Sequence, residues 1–345
     1  MDERERLRAA AARIIAWYKG ARRALPWREE ATPYRVWISE IMLQQTRIEA
    51  VIPYYERFLR ELPDIAALAA VDENRLLKLW EGLGYYSRAR NLKRAAQLVM
   101  REHGGELPRT AEELRRLPGI GDYTAGAIAS IAYGEPEPAV DGNVLRVFSR
   151  LTALDEDIME PRTRRCVTQA LREIYPVGGE ARLLTEGIME LGETLCVPNG
   201  EARCALCPLS ALCLARERGA VARYPVKSPP RARRIEPRTV LLLRCGERWA
   251  IRKRAGKGLL AGLWELPNVP GALNEEEVRA LFPGAVSCTP CGEAVHVFTH
   301  VEWHMRGYAL EMKSESPDFI WKRAEEISAE YSVPTAFRFF QKLLK

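Results

Sequence analysis

The chain is predicted to fold as two domains of different class, an all-α domain followed by an α+β domain, and three observations carry that reading. Helical hydrophobic periodicity interrupted by prolines runs from Asp2 to about Arg223. The stretch ARYPVKSPPRARRIEPR then brings four prolines and several basic residues without apolar periodicity. From Thr239 the texture turns to short β-rich runs such as TVLLLRC, RWAIRKR and VHVFTHVEWHMRGYALEM, with helical patterns near 274–281 and 335–344. At 345 residues and 47% apolar, the chain can bury two cores. The domains read as 1–221 and 238–345, joined by a basic, proline-rich linker at 222–237.

Lysine and arginine outnumber aspartate and glutamate by 52 to 46, a mild excess that permits nucleic-acid binding without implying it. The N-terminus mixes charges of both signs and reads as an amphipathic helix, with no signal peptide and no stretch of membrane-spanning length further on. Eight cysteines without an export signal point to a reducing compartment and to metal ligation before disulfides. A cytoplasmic monomer is expected.

About ten helices are expected in the first domain. The segment Tyr34 to Leu59 is mostly helical, with Glu40, Gln44 and Arg47 recurring on a polar face; on that pattern alone Glu40 is a solvated acid. WEGLGYYSRARNLKRAA, Trp80 to Ala96, interleaves tyrosines with Arg88, Arg90, Lys93 and Arg94, a mixture suited to stacking and phosphate contact. LPGIGDYTAGAIASIAYGEPEPAVDGN follows at 117–143. Gly119 and Gly121 suit a tight turn needing positive φ, and the run Tyr123 to Tyr133 reads as a helix whose free N-terminal amides favour an anion. Pro136 and Pro138 force an extended stretch that delivers Asp141, before a second helical run from Val144 to Leu151. Alone, this reads more readily as an ordinary helix-turn-helix with Asp141 as a mere cap. LLTEGIMELGETLC places Glu186 and Glu190 four apart on one helix face. Cys196, Cys204, Cys207 and Cys213 are spaced C-x7-C-x2-C-x5-C, thiolate ligands for zinc or an iron–sulfur cluster, which spacing alone does not separate.

Taken together, L-P-G-I-G followed by V-D-G-N-V resembles the helix-hairpin-helix and catalytic aspartate of the endonuclease III superfamily of DNA glycosylases. WISEIMLQQTR closely resembles the motif carrying the catalytic glutamate of the MutY-type adenine DNA glycosylases. The resemblance covers nearly the whole chain and implies a helix-hairpin-helix glycosylase domain (hairpin 117–141, cysteine loop 196–213) acting on double-stranded DNA with adenine opposite 8-oxoguanine or G. It implies Glu40 as the acid that protonates adenine N7 and Asp141 as the anion facing the sugar, with Tyr123 and Asn143 in the catalytic group. Arg28, Gln44, Gln45, Thr46, Tyr85, Gly119, Gly121 and Glu186 are implied as DNA- or substrate-binding positions. The cysteine quartet is implied to hold a [4Fe–4S] cluster, although the family usually has six residues in the first gap where this chain has seven.

RKRAGKGLLAGLWELPN looks like the start of a Nudix (MutT-like) domain, yet no glutamate-rich metal helix follows, because Glu275, Glu276 and Glu277 are adjacent and cannot share one helix face. Phe298-Thr299-His300, within one of the β-rich runs, resembles the F-S-H loop with which the family reads 8-oxoguanine, and threonine retains the hydroxyl but adds a methyl group. Cys288 and Cys291 could form half a zinc site. Three rivals remain: an endonuclease III-like lyase, a non-catalytic iron–sulfur DNA-binding protein, and a Nudix hydrolase. The first needs a lysine where this chain has Tyr123, which cannot form an imine; Glu40 and Asp141 together oppose the second, and the missing glutamate helix opposes the third. Hydrolysis of an N-glycosidic bond through an oxocarbenium-like transition state asks for an acid with a raised pKa and a nearby carboxylate that stays ionised. Apolar neighbours Trp37, Ile41 and Met42 are expected to raise Glu40; the helix N-terminus and hydrogen bonds are expected to keep Asp141 ionised.

Overall fold

A computed structural model describes residues 1–229 and 232–344; Pro230 and Arg231 of the expected linker, and Lys345, lie outside the described residues. Two compact units form, Met1–Ala70 with Asn91–Pro229, and Val71–Arg90 with Pro230–Lys345. Among the described residues thirteen α-helices precede the sheet: α1 (Glu3–Ala21), α2 (Pro26–Glu29), α3 (Pro33–Leu43), α4 (Ile48–Glu61), α5 (Ile65–Ala70), α6 (Glu73–Leu79), α7 (Ser87–Glu102), α8 (Ala111–Leu114), α9 (Asp122–Ala127), α10 (Gly142–Thr152), α11 (Pro161–Arg172), α12 (Gly179–Thr194) and α13 (Leu214–Glu217). Three of these, α2, α8 and α13, are single turns of four residues, so ten are longer. None is long and apolar enough to cross a membrane.

Local chemistry explains most of the boundaries. Asp2 and Glu5 close a capping box on α1, and Pro26, Pro33 and Pro161 occupy first-turn positions where a missing N–H costs nothing. The predicted helical segment 34–59 is two helices, because the chain turns between α3 and α4, with Gln45 at φ +57°. The run Tyr123 to Tyr133 is α-helical only to Ala127 and widens into a π turn over Ile128–Ala132. There the Ser130 hydroxyl donates to the Gly126 carbonyl at 2.7 Å and accepts from Thr185 at 2.8 Å, the kind of side-chain intrusion that loosens a helical ladder. Leu7, Ile14, Val144, Leu145, Leu184 and Leu191, from α1, α10 and α12, belong to one buried cluster that fixes α10 and α12 side by side.

The other unit holds a seven-stranded sheet: β1 (Arg234–Cys245), β2 (Arg248–Lys253), β3 (Trp264–Glu265), β4 (Asn268–Pro270), β5 (Ala285–Val297), β6 (Val301–Met312) and β7 (Ile320–Lys322). The order is β3-β2-β1-β6-β5, with β4 also on β1 and β7 on β2; β1 and β6 run parallel and the other pairs antiparallel. Val240 and Leu242 pack on one face and Leu241 and Leu243 on the other, which is why this central strand reads as a continuous apolar run. The helices α14 (Glu275–Leu281), α15 (Ala324–Glu330) and α16 (Arg338–Gln341) complete it.

Several expectations are corrected here. Arg234 to Pro237, read as linker, already pair in β1 with Val301 to His304. The helical domain read as unbroken over 1–221 loses Val71–Arg90 to the sheet unit, where Lys78 Nζ donates to the Tyr331 carbonyl at 3.3 Å and the Val333 N–H to Glu81 Oε1 at 3.0 Å. Phe298-Thr299-His300 does not run through a strand but turns the β5–β6 hairpin. Cys288 and Cys291 pack into the cores on opposite faces of the sheet, so they do not form half a metal site.

Candidate active site

One cavity of about 1290 Å³ opens in the helical unit, and it is lined by α3, the hairpin, the strand-like stretch before α10, α11 and α12. Glu40 stands in its wall. The polar face seen in sequence is covered by the rest of the unit, leaving Glu40 only 5% exposed. The Tyr123 hydroxyl, from α9, donates to Glu40 Oε2 at 2.5 Å. Burial pushes the Glu40 carboxyl up to about 7; the Tyr123 hydrogen bond opposes that, and the nearby Asp141 charge adds to it. Burial also drives the Tyr123 phenol well above its ordinary range.

Asp141 is both a helix cap and a cavity residue. Its Oδ1 accepts the Val144 N–H at 2.8 Å as N-cap of α10, and its Oδ2 accepts from Asn143 Nδ2 at 2.9 Å. Burial raises its pKa despite these bonds and the Arg146 charge, so the expected protection of the ionised form meets a larger opposing effect. Arg146 Nη2 donates to Asn143 Oδ1 at 2.6 Å and to the Gly192 carbonyl at 2.9 Å, while its Nε donates to the Cys196 carbonyl at 2.7 Å. The Asp141–Asn143 pair is thereby held from behind by a buried arginine.

Of the two hairpin glycines only Gly119 takes positive φ, at +79°; Gly121 is extended at φ −95° and caps α9 without a side chain. A Cβ on Gly119 would lie 2.6 Å from Asn91 Cβ, a second reason for glycine there. Gln44 Nε2 donates to Thr124 Oγ1 at 3.3 Å on the cavity wall, and Thr46 Oγ1 donates to the Gln44 carbonyl at 3.3 Å, which leaves Gln45 exposed at the tip of the turn.

At the other wall, Glu186 accepts from the Tyr18 hydroxyl at 3.1 Å and from Arg182 Nε at 3.2 Å. Arg28 is buried and donates to Glu190 Oε2 at 2.8 Å; Arg23 pairs with the same carboxylate. Tyr18, Arg23 and Glu190 were not singled out from sequence. Glu190 was visible only as the neighbour of Glu186 one turn away, and its arginine partners stand more than 160 residues distant. The cavity face of α11 was missed as well.

This arrangement brings a group that can hold a proton near neutral pH and a second, hydrogen-bonded carboxyl group to one cavity. The comparisons with known proteins agree with it. Residues 38–176 match the family described as HhH-GPD superfamily base excision DNA repair protein, and residues 239–343 match a NUDIX domain. The human protein named adenine DNA glycosylase is 33% identical, over 88% of this chain and 67% of its own length. The chain belongs to the adenine DNA glycosylases. A relative of the same name from Buchnera aphidicola is 29% identical over 89% of this chain and 90% of its own. An endonuclease III trapped as a covalent DNA intermediate superposes with a TM-score of 0.53 and 25% identity, covering 64% of this chain and 99% of that one. This adenine DNA glycosylase is therefore a DNA repair enzyme with a helical catalytic fold like that of endonuclease III, followed by a Nudix-like sheet domain.

Cys196, Cys204, Cys207 and Cys213 ring one small cavity with Arg150 and Arg216. Arg150 Nη1 donates to Cys196 Sγ at 3.3 Å, and burial pushes the Cys207 thiol up to about 11. The extra residue in the first gap is absorbed without removing any of the four from the ring. Among the described residues no three histidine, cysteine or acidic side chains close on a single ion position.

In the sheet unit, Phe298 packs edge-on against His296 and Trp303 with centroids 4.5 and 5.0 Å away, while Thr299 and His300 are exposed. The Tyr85 and Thr299 hydroxyls are 2.6 Å apart, so two residues singled out separately from sequence meet there. Tyr85 is exposed at φ +46°, and the Arg88 guanidinium lies 5.6 Å from its ring centre. The buried Glu265 is taken by Arg252 and Arg254.

Proposed function

We propose that this adenine DNA glycosylase hydrolyses the N-glycosidic bond of adenine mispaired with 8-oxoguanine or G, after the adenine leaves the duplex stack and enters the cavity. The observation that carries this reading is that two of the carboxylates lining one cavity stand in unlike environments, Glu40 pushed up to about 7 and Asp141 held by a backbone N–H and the Asn143 amide. Glu40 donates its proton to adenine N7, making the base a neutral leaving group, and Tyr123 orients that carboxyl through its hydroxyl. Asp141 faces C1′ and stabilises the developing oxocarbenium charge, or traps it covalently for a moment before water takes over. Glu186 and Arg28 contact the flipped adenine at the opposite wall. Tyr123 cannot form a Schiff base, so base excision without strand cleavage is expected.

Gln44, Gln45 and Thr46 enter the duplex, the hairpin amides around Gly119 and Gly121 grip a backbone phosphate, and Tyr85 wedges beside the lesion while Thr299, flanked by Phe298 and His300, reads 8-oxoguanine. Their hydroxyl contact supports a shared role in that reading. A [4Fe–4S] cluster fits the cysteine ring better than one zinc ion, because thiolates at the corners of a cubane stand further apart than those around a single ion, and here the sulfurs ring a cavity. Cys196, Cys204, Cys207 and Cys213 would hold it, and it would brace the loop whose Cys196 and Val197 carbonyls accept from Arg146 and Arg150. The enzyme acts as a monomer in the cytoplasm.

A gel assay tests this reading with duplexes carrying A opposite 8-oxoguanine, A opposite G, and thymine glycol. Adenine excision revealed only after alkali is expected, fastest opposite 8-oxoguanine, with Thr299→Ala narrowing that preference by up to about tenfold. Cleavage at thymine glycol without alkali would overturn it.

A further inference from the structure

Five residues of α11, Arg164, Arg165, Thr168, Gln169 and Arg172, recur every three or four positions and line the same cavity as Glu40, Gln44 and Gln45. The other face of the helix buries Thr163, Val167 and Leu171 in the core, so the polar face cannot turn away. Its end is tied to the hairpin: Arg172 and Arg115 both pair with Glu137, at 2.6 and 2.8 Å, and Arg115 also pairs with Asp122 at the start of α9.

The charge of this face is uncompensated where it matters. Arg172 is neutralised by Glu137, but Arg165 meets no carboxylate among the described residues, and Arg164 uses its Nε on the Ile158 carbonyl at 3.1 Å, which leaves its two terminal nitrogens free of an ion pair. Both side chains are exposed. Of the carboxylates lining the cavity, Glu40, Asp141, Glu186 and Glu190 are hydrogen-bonded at its wall or held by other arginines, Asp122 and Glu137 are paired with Arg115 and Arg172, and Glu193 is exposed; none pairs with Arg164 or Arg165 among the described residues. Two cations thus line an acidic cavity, about two turns along α11 from the end that Arg172 ties to Glu137.

We infer that the exposed face of α11 is a second phosphate-binding surface, on which Arg164 and Arg165 each neutralise a backbone phosphate of the strand gripped by the hairpin, Gln169 adding a neutral contact. A helix joined to the hairpin through Glu137 is positioned for neighbouring phosphates of the same strand. Guanidinium groups suit phosphate oxygens because they offer two parallel N–H donors. This inference rests on duplex DNA as the substrate.

The test is the salt dependence of binding by the full-length protein to a duplex without a mispaired adenine, measured by fluorescence anisotropy. Each phosphate contact contributes about 0.9 to the slope of log K against log salt, so Arg164→Ala/Arg165→Ala should lower that slope by about 2. Between 50 and 200 mM salt the parent protein would then lose roughly tenfold more affinity than the variant. The exposed arginines Arg4 and Arg8 of α1 lie outside the cavity, so Arg4→Ala/Arg8→Ala removes the same charge and should leave the slope unchanged. An unchanged slope in the α11 variant, or an equal drop in both variants, overturns the assignment. Failure of the parent protein to bind any duplex at low salt would instead overturn DNA as the substrate.

Discussion

Replacing Tyr123 by phenylalanine should move the alkaline limb of the pH–rate profile upward. The Tyr123 hydroxyl donates at 2.5 Å to Glu40 Oε2 and is the largest influence holding the Glu40 carboxyl down against burial. A hydrogen bond to a charged group is worth about 1.5–3 kcal/mol, and one pKa unit corresponds to about 1.36 kcal/mol, so its loss should raise Glu40 from about 7 by roughly one to two units. As the proposed proton donor, Glu40 would be competent below its pKa, so a higher pKa should extend activity to higher pH. The same proposal assigns the acid limb to Asp141, whose bonds from the Val144 N–H and the Asn143 amide do not involve Tyr123, and that limb should stay in place. Single-turnover excision of adenine opposite 8-oxoguanine, measured across the pH range from 5 to about 9.5, separates the two limbs. The absolute rate should fall, because the carboxyl loses an orienting partner. An alkaline limb that stays near 7 or moves down would refute Glu40 as the acid, or the hydroxyl as the group that tunes it.

Other consequences can be measured with the same protein. Glu40→Gln should abolish excision yet stabilise the fold at pH 8. Because the folded pKa, about 7, lies above the ordinary carboxylate value, the stability Glu40 contributes is complete below the unfolded pKa and lost as pH rises through 7; glutamine never ionises, so the gain in thermal denaturation should reach at most about 3 kcal/mol at pH 8 and vanish near pH 4. Asp141→Asn should lower single-turnover excision by at least ~100-fold while duplex affinity is retained, and parallel loss of both would make the residue only a helix cap. A Cβ at Gly126 would lie 2.5 Å from the Pro138 carbonyl oxygen, and backbone must yield. Gly126→Ala should therefore destabilise the protein by about 1–3 kcal/mol and slow excision by displacing the stretch that carries Asp141; a parental rate would show that the stretch is not held by this contact. Anaerobically purified protein should be brown, absorb near ~400 nm and contain about four irons per chain, whereas one zinc without labile sulfide would exclude the cluster.

The covalent spacing of the chain was enough to locate the hairpin, the aspartate after it and the ring of four cysteines, because proline, glycine and cysteine act over a few residues whatever surrounds them. The change from helix period to β-rich runs separated the two architectures for the same reason, and the absent glutamate helix already spoke against Nudix hydrolysis. Other features depended on partners far along the chain. Glu40 sits on what reads as a polar helix face and is buried only because the rest of the helical unit covers it; its raised pKa comes from that burial. Glu190, Tyr18 and Arg23 have no local signature, since their partners come from the other end of the helical unit. Val71–Arg90 reads as ordinary helix and turn, yet it joins the sheet through Tyr331, Val333 and Thr299. The polar face of α11 looks like any solvated amphipathic helix. Its position at the catalytic cavity follows from the burial of Val167 and Leu171 in the core, a packing choice that spacing along the chain does not encode.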